Sequence, residues 1–266
     1  MAVVLAALAS LTSQAMAANV VERAGDKLRY ENCLSLAGLN PSAALGVANK
    51  WVDEKGGPPA EHCAAVALVG LKHYAEAGTK LDALGRAPDV GDLRASLFDQ
   101  AGNAWLLAGD GSHATASFQA ALALSGNDPD LYADLARAQA LSKDWRSVEA
   151  DMNAALAVSP RRYDLLVLRA SARHALRNLA GARSDVQAAL ALKPNFAEAL
   201  VERGSLARES GDVAAARSDF EAALNAGAGG QTGEEARRSL AALNDDAKPK
   251  PAAPAKSAAP AKPKKP

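Results

Sequence analysis

The sequence predicts an all-α fold, an α-solenoid of stacked helix-turn-helix pairs that ends in a capping helix and a disordered tail. The first observation is the phrase Ala-Ala-Leu, which returns every 34 residues at 120–122, 154–156, 188–190 and 222–224. Two residues before each phrase stands a bulky apolar residue: Phe118, Met152, Val186 or Phe220. A 34-residue period is typical of helical pairs that are too small to bury their apolar faces alone. The second observation is that aromatic residues make up only 4% of the chain, as expected where helices pack closely through small side chains.

Residues 1–17 are predicted to be a signal peptide. The stretch from Met1 to Ala18 has no charged side chain, its first part is largely apolar, and Ala15-Met16-Ala17 fits the small-x-small rule for cleavage. The apolar run is too short to span a membrane as a helix. A basic residue after Met1 is missing, and a buried N-terminal helix is the alternative. The favoured interpretation is an exported protein, periplasmic or secreted, that keeps no transmembrane segment after cleavage.

Residues 20–91 are predicted to form divergent helical pairs at the start of the stack, where solenoids need atypical repeats. Apolar residues at helical spacing indicate helices over 20–37, 41–52, 60–69 and 74–84. Gly56-Gly57-Pro58-Pro59 separates the second helix from the third. The step from the last pair to the next is about three residues longer than 34, which predicts a longer turn near residues 86–92.

Residues 92–228 are predicted to form four regular repeats. Turns are indicated at Gly109-Asp110-Gly111, Ser142-Lys143-Asp144, Arg177-Asn178 and Ser210-Gly211-Asp212. Several of these turns place Gly or Asn after a helix, where left-handed backbone is common. Several also place Asp where its side chain can cap the next helix.

The repeated positions resemble the pattern of the tetratricopeptide repeat (TPR) family. In the first repeat they are Phe98, Ala101, Gly102, Trp105, Ala114, Phe118 and Ala121, and the same positions recur 34, 68 and 102 residues later. The resemblance covers residues 95–228 well and 58–91 loosely. Later repeats depart from it by carrying Arg where a bulky apolar residue is usual. The resemblance implies a right-handed α-solenoid whose first helices line a concave groove.

Residues 231–244 are predicted to form the capping helix. Ala236, Leu240 and Leu243 share the face that would cover the end of the stack, while Arg237 and Arg238 remain available to solvent.

Residues 245–266 are predicted to be a disordered Lys/Pro/Ala tail, because Pro recurs too often for a helix and no large apolar side chain is present. Residues 248–266 carry six Lys and no acid, in a chain whose formal net charge is zero. Contact with an anionic surface, such as lipid headgroups or a cell-wall polymer, and a solubilising role both stay open. An acidic body with a basic tail argues against a nucleic-acid groove in the body.

The two cysteines, Cys33 and Cys63, are each expected on the first helix of a helical pair. An even number of cysteines in an exported chain suggests a disulfide, and first helices are neighbours in a solenoid. A bridge closing about thirty residues would stabilise the fold by roughly 3–4 kcal/mol in the loop-entropy model. Two small buried thiols are the alternative.

Motifs for catalysis or cofactor binding were sought and not found: the sequence has no HExxH, GxSxG, Walker or dinucleotide-binding pattern. Cys63 and His62 could be drawn as a thiol–imidazole pair, but neighbouring helical residues point about 100° apart. They also lack the paired spacing of zinc fingers. We therefore predict no catalytic residue, no metal and no cofactor.

Arg and Asp recur at fixed repeat positions, as Arg169 and Arg203 and as Asp151, Asp185 and Asp219. The hypothesis is that Arg169 pairs with Asp151 or Asp185, and Arg203 with Asp185 or Asp219, in a ladder through the stack. Such pairs would fix the register of the repeats and add little net stability.

The resemblance implies that a partner binds to exposed positions of the first helices, near their second, fifth, ninth and twelfth places. Carried over by repeat, these are Ser96, Asp99, Asn103 and Leu106; Asp130, Ala133, Arg137 and Ala140; Asp164, Val167, Ser171 and His174; and Glu198, Val201, Ser205 and Arg208. The surface mixes apolar patches with both charge signs and lacks the Lys and Asn set by which some family members clamp a C-terminal carboxylate. Merely solvated helix faces are the alternative.

The expected function is therefore that of a non-catalytic scaffold that binds a peptide segment of a partner protein in the cell envelope of a bacterium. An accessory subunit of an envelope enzyme or assembly complex is the second hypothesis, and a thiol enzyme using Cys63 is the third.

Overall fold

A computed structural model describes residues 25–246, and within that range the fold is all-α. Thirteen α-helices and one 3-10 helix are present there, and no strand. The helices are α1 (25–39), α2 (Pro41–Asp53), α3 (Gly57–Gly70), α4 (Tyr74–Arg86), α5 (Arg94–Ala108), α6 (Gly111–Ser125), α7 (Pro129–Leu141), α8 (Trp145–Val158), α9 (Tyr163–Ala175), α10 (Leu179–Leu192), α11 (Ala197–Glu209), α12 (Val213–Asn225) and α13 (Gly230–Asp246). The predicted signal peptide and nearly all of the predicted tail lie outside the described residues.

The described residues divide into two compact units, the first ending at residue 192 and the second beginning at residue 193. In the described part of the first unit, consecutive helices pack against each other from α2 through α10, so each odd-numbered first helix is followed by its second helix. The prediction of stacked helix-turn-helix pairs is therefore confirmed. In the second unit α11 packs on α12, and α13 packs on both, with Ala236 and Leu243 buried and Arg237 and Arg238 exposed.

Small residues on first helices face bulky residues on second helices, and the two sizes compensate. A Cβ added at Gly102 would lie 2.6 Å from the ring of Phe118, and one added at Gly204 would lie 2.8 Å from that of Phe220. The second and third repeats have Ala at the position of Gly102, and carry the smaller residues Met152 and Val186 in place of Phe118. Close helix packing is thus achieved by Gly opposite Phe in the first and fourth repeats, and by Ala opposite a smaller apolar residue in the second and third.

The turns inside the four repeats keep the same geometry every 34 residues. Gly109, Lys143, Arg177 and Gly211 all have positive φ, between 58° and 84°. One residue later, the side chains of Asp110, Asp144, Asn178 and Asp212 each accept a hydrogen bond from the backbone N–H three residues on. The turns and caps predicted from the sequence are confirmed.

The longer turn predicted near residues 86–92 is a 3-10 helix, Pro88–Leu93. α5 packs directly against α7, and α7 against α9. Between α3 and α5 the chain instead leaves a groove with α4 at its floor.

The structure joins Cys33 and Cys63 in a disulfide, which ties α1 to α3. Both residues are buried, against Ala48 and Ala64. Trp51 and Trp105 are buried, whereas Trp145 is only half-buried at the start of α8.

Candidate functional site

The predicted Arg–Asp pairs are present, and each arginine pairs with the carboxylate of its own repeat. Arg169 donates to Asp185 at 2.7 and 2.9 Å, and Arg203 donates to Asp219 at 2.6 and 2.9 Å. Of the alternatives left open by the sequence, the structure selects Asp185 and Asp219. Asp151 instead accepts a hydrogen bond from Gln139.

A second arginine, Arg173, also donates to Asp185, at 2.8 Å. Arg173 further reaches Glu149, and Arg169 reaches Asn153, both on α8 of the preceding repeat. These contacts make a partly buried polar network, with Asp185 at its most buried point, that joins consecutive repeats. Its side chains are occupied with each other, so its role is structural.

An apolar groove lies between α3 and α5. We use that name for two adjacent hollows of about 300 and 250 Å³ that have Gln100 as a common lining residue. One is lined by Tyr30, Pro58, Pro59, His62, Leu84, Val90, Leu93, Ser96, Leu97 and Gln100, and the other by Val66, Val69, Leu81, Gln100, Asn103, Ala104 and Leu107. Leu93 and Leu107, at its two ends, are 65% and 58% exposed. A helix rises about 1.5 Å per residue, so the stretch between them is roughly 20 Å long, enough for about six residues of extended peptide.

A chain of polar contacts crosses the middle of the apolar groove. The Tyr30 hydroxyl lies 2.7 Å from His62 Nδ1, and His62 Nε2 lies 2.8 Å from Gln100 Oε1. Gln100 in turn donates to the Ser96 hydroxyl at 3.2 Å. These side chains can exchange their mutual bonds for bonds to a peptide backbone, because amide and imidazole groups both donate and accept.

An acidic cleft of about 350 Å³ lies between α5 and α7. Its lining residues are Asp92, Ala95, Ser96, Asp99, Ser125, Asp128, Asp130, Leu131 and Asp134. Burial raises the pKa of Asp99, and the neighbouring carboxylates of Asp134 and Asp128 raise it further. Burial likewise raises the pKa of Asp134, although Arg137 opposes the shift.

Arg162, which sequence reasoning missed, joins the predicted residues Asp130 and Asp164. It bonds Asp130 at 2.8 Å and Asp164 at 2.7 and 2.9 Å. The bond to Asp164 is the main cause that raises the pKa of Arg162, and the same bond lowers the pKa of Asp164. One signal in the sequence could have indicated Arg162: it directly precedes a first helix, at the position that Asp128 and Phe196 occupy in the neighbouring repeats.

Three of the sixteen positions carried over from the family pattern are not exposed. Ala133, Val167 and Val201 are 2%, 6% and 5% exposed, so they cannot contact a partner directly. In the first unit the reason is the direct packing of α5, α7 and α9, which covers this face of each helix. The equivalent residue of the first repeat is Asp99, which is half-buried.

The other predicted positions keep some exposure. Asn103, Asp130 and Arg137 are exposed, and Asp164, Ser171 and His174 on α9 are half-buried. Asn103 donates to Asp99, and Arg137 pairs with Asp134 on its own helix. In the second unit, Glu198 is exposed, Ser205 is half-buried, and Arg208 borders a hollow of about 270 Å³ with Glu235, Arg238 and Ser239.

Among the described residues, no cluster of His, Cys, Asp or Glu side chains could hold a metal ion. Nor does the described part of the chain contain a helix with the length and apolar character needed to cross a membrane. Cys63, the sequence's candidate nucleophile, carries no free thiol because it is bonded to Cys33.

Comparison with solved structures identifies the fold. The C-terminal part of a TPR repeat-containing protein from Cytophaga hutchinsonii is 18% identical, with a TM-score of 0.60 over 82% of this chain and 89% of that one. A TPR protein from Parabacteroides merdae is 15% identical, with a TM-score of 0.59 over 81% and 84%. A thermophilic TPR protein of Thermus thermophilus is 17% identical, with a TM-score of 0.53 over 71% and 99%. No protein-family model matches the sequence, and no curated protein matches it. The chain therefore has the TPR fold, and at these identities the likeness establishes the fold alone.

Proposed function

We propose that this chain, which has the TPR fold, is a scaffold that binds an extended peptide segment of a partner protein on its first helices. The observation that carries the proposal is the apolar groove between α3 and α5. It leaves two leucines exposed at its ends and places polar side chains that can bond a peptide backbone at its centre. A preformed groove on rigid helices suits an extended peptide, because little ordering of the protein is needed on binding.

The proposed binding surface continues from the apolar groove onto α5 and α7. Asp99, Asn103, Asp130 and Arg137 line that continuation, and Asp99 and Asp130 border the acidic cleft. The positions predicted on α9 and α11 remain predictions of further contacts. The proposed action is binding alone, without a reaction on the partner.

The test is to select peptides from a displayed random library on the purified protein, and then to measure their affinities for two matched variants. Leu93→Glu with Leu107→Glu places charges in the apolar groove. Leu124→Glu with Leu141→Glu makes the same change at two leucines that are each 52% exposed elsewhere in the first unit. We expect the selected peptides to bind the second variant as they bind wild type, and the first at least tenfold more weakly.

Failure to select any peptide, or equal affinity for both double variants, would overturn the assignment of the apolar groove as the peptide-binding site.

A pull-down from a cell-envelope fraction, with Arg137→Glu as the comparison, tests whether the proposed binding surface continues onto α7. Equal recovery of every partner by this variant and wild type would remove Arg137 from the binding surface.

We also propose that the protein works in an oxidising compartment, the periplasm or the cell exterior. The disulfide between Cys33 and Cys63 supports this, because such bonds persist mainly in exported proteins. The predicted signal peptide points the same way. Native protein from an envelope fraction should react with a thiol-labelling reagent only after reduction. Rapid labelling without reductant would contradict the proposal.

A further inference from the structure

The apolar groove and the acidic cleft meet on α5. Ser96 lines both, at the end of the apolar groove that also contains Leu93. Asp92, which directly precedes Leu93 in the chain, lines the acidic cleft at this end. A peptide that leaves the apolar groove at this end therefore places its next side chains within reach of the acidic cleft.

The acidic cleft keeps an excess of negative charge after its internal ion pairs are counted. Five aspartates line it, and two of these are paired, Asp130 with Arg162 and Asp134 with Arg137. Asp92, Asp99 and Asp128 have no basic side chain within ion-pair distance among residues 25–246. Asp99 accepts a bond from Asn103, and Asp128 accepts one from a backbone N–H, so neither contact neutralises a carboxylate.

Asp99 is also the exception at its repeat position. The same position holds Ala133, Val167 and Val201 in the other repeats, all buried and apolar. Desolvation disfavours the charged form of a carboxylate at such a place. The first repeat therefore holds a carboxylate where the other three hold an apolar side chain, and this residue borders the acidic cleft beside the apolar groove.

We infer that the bound segment is an extended peptide whose apolar stretch is flanked by basic residues. Its apolar side chains occupy the groove between α3 and α5, and its Lys or Arg side chains enter the acidic cleft between α5 and α7. This inference rests on the proposed function and specifies the chemical class of the partner.

The chain's own Lys-rich stretch, residues 248–266, has the charge of such a ligand but not its apolar part. It carries six Lys and no apolar side chain larger than Ala or Pro. It could neutralise the acidic cleft without filling the apolar groove. A separate partner segment fits both features better.

The experiment uses three labelled synthetic peptides with the same six-residue apolar centre and with Lys, Gln or Glu pairs at both ends. Their affinities for the full chain are measured by fluorescence anisotropy at low and at physiological salt. We expect the Lys peptide to bind about tenfold more tightly than the Gln peptide at low salt, with a smaller ratio at higher salt. The Glu peptide should bind most weakly.

Two triple variants show whether the acidic cleft is responsible. Asp92→Asn, Asp99→Asn and Asp128→Asn together remove its unpaired charges while keeping the side-chain shapes, and Asn caps a helix as well as Asp does. Glu221→Gln, Glu234→Gln and Glu235→Gln, at exposed positions of α12 and α13, make the same change in net charge. The first variant should lose the preference for Lys over Gln, and the second should keep it. Thermal melts confirm that both variants are folded.

Each outcome decides something. If none of the three peptides binds, the apolar groove does not bind peptides, and the proposed function falls together with this inference. If all three bind equally, or if both triple variants keep the Lys preference, the proposed function stands and the inference about charge is wrong. A synthetic peptide of residues 248–266 that binds as tightly as the Lys peptide would show that the apolar groove contributes nothing, which also overturns it.

Discussion

The first and third regular repeats, α5–α6 and α9–α10, are built on the same backbone pattern but fill equivalent positions with different chemistry. In the first repeat Ala101, Trp105 and Ser117 occupy the places that Arg169, Arg173 and Asp185 occupy in the third. In the first repeat the Trp105 indole and the Ser117 hydroxyl donate to Asp82 of the preceding helix, at 2.9 and 2.8 Å.

In the third repeat the polar groups of these positions are charged and satisfy each other. Asp185 is nearly buried and receives both arginines, which are themselves mostly buried. The comparison shows that the buried polar groups at these positions have hydrogen-bond partners in both repeats. Neutral donors supply those bonds in the first repeat, and ion pairs supply them in the third. Charged groups carry the larger penalty if a partner is lost, because an uncompensated buried charge is costly.

The largest effect is therefore expected for Asp185→Ala, which removes the carboxylate that two arginines share. We expect a loss of about 3 kcal/mol in the free energy of unfolding, measured by urea titration. The matched change in the first repeat, Ser117→Ala, should cost only about 1 kcal/mol, because Asp82 keeps its bond from Trp105.

A sharper version places the first repeat's residues at these three positions of the third repeat. Arg169→Ala, Arg173→Trp and Asp185→Ser together leave no charge at these three positions, so the triple variant should be more stable than Asp185→Ala alone. A triple variant that is less stable than the single one would show that the two solutions are not interchangeable.

The second effect concerns side-chain volume at the helix interface. Gly102→Ala places a Cβ 2.6 Å from the Phe118 ring and should destabilise by about 1–3 kcal/mol through overpacking. The third repeat already has Ala170 at this place, opposite the smaller Val186. Phe118→Val should therefore relieve the clash caused by Gly102→Ala, so that the double variant loses less stability than the two single losses added together.

The control for this prediction is Gly46→Ala. Gly46 lies on an exposed part of α2 with nothing near its added Cβ, and alanine there should stabilise by about 0.5–1 kcal/mol through helix propensity alone. If the losses of stability in Gly102→Ala and Phe118→Val simply add up in the double variant, the volumes of these two side chains do not compensate each other.

The sequence was sufficient for features that depend on spacing along the chain. The 34-residue step located the helical pairs and the caps at Asp110 and Asp144, and it narrowed the acidic partner of Arg169 to Asp151 or Asp185, of which the structure selects Asp185. The apolar groove was not predictable, because its walls come from α3, α4, α5 and the 3-10 helix at 88–93, and it depends on how these elements pack together. Likewise, the burial of Val167 was not predictable. It depends on how the first helices pack against each other, whereas the family pattern gives this position as exposed.

A smaller effect is expected in the turns, where the first repeat has Gly109 and the second has Lys143, both at positive φ. A side chain in the left-handed region costs about 1 kcal/mol relative to glycine. Lys143→Gly should therefore stabilise by up to about 1 kcal/mol, and Gly109→Lys should destabilise by a similar amount, both measured by thermal melts. Loss of stability in Lys143→Gly would show that the lysine side chain makes a contact more valuable than the relief of strain.

The smallest effect distinguishes Asp99 of the first repeat from Asp164 of the third, two residues of the proposed binding surface. Burial raises the pKa of Asp99 above its ordinary 3.8, so the folded state favours the protonated form and the charged form lowers stability at pH 7. Asp99→Asn should therefore stabilise by less than about 1 kcal/mol at pH 7. That gain in stability should shrink as the pH falls through the raised pKa of Asp99 and vanish below the pKa of the unfolded state.

For Asp164 we expect an effect on stability of the opposite sign, because Arg162 lowers the pKa of this carboxyl. Asp164→Asn should destabilise above about pH 4 and have no effect once the carboxyl of the folded state is protonated. Urea titrations of both variants from pH 3 to 7 separate the two cases. If Asp99→Asn instead lowered stability at pH 7, Asp99 would be a structural residue, and its place beside the acidic cleft would need no ligand to account for it.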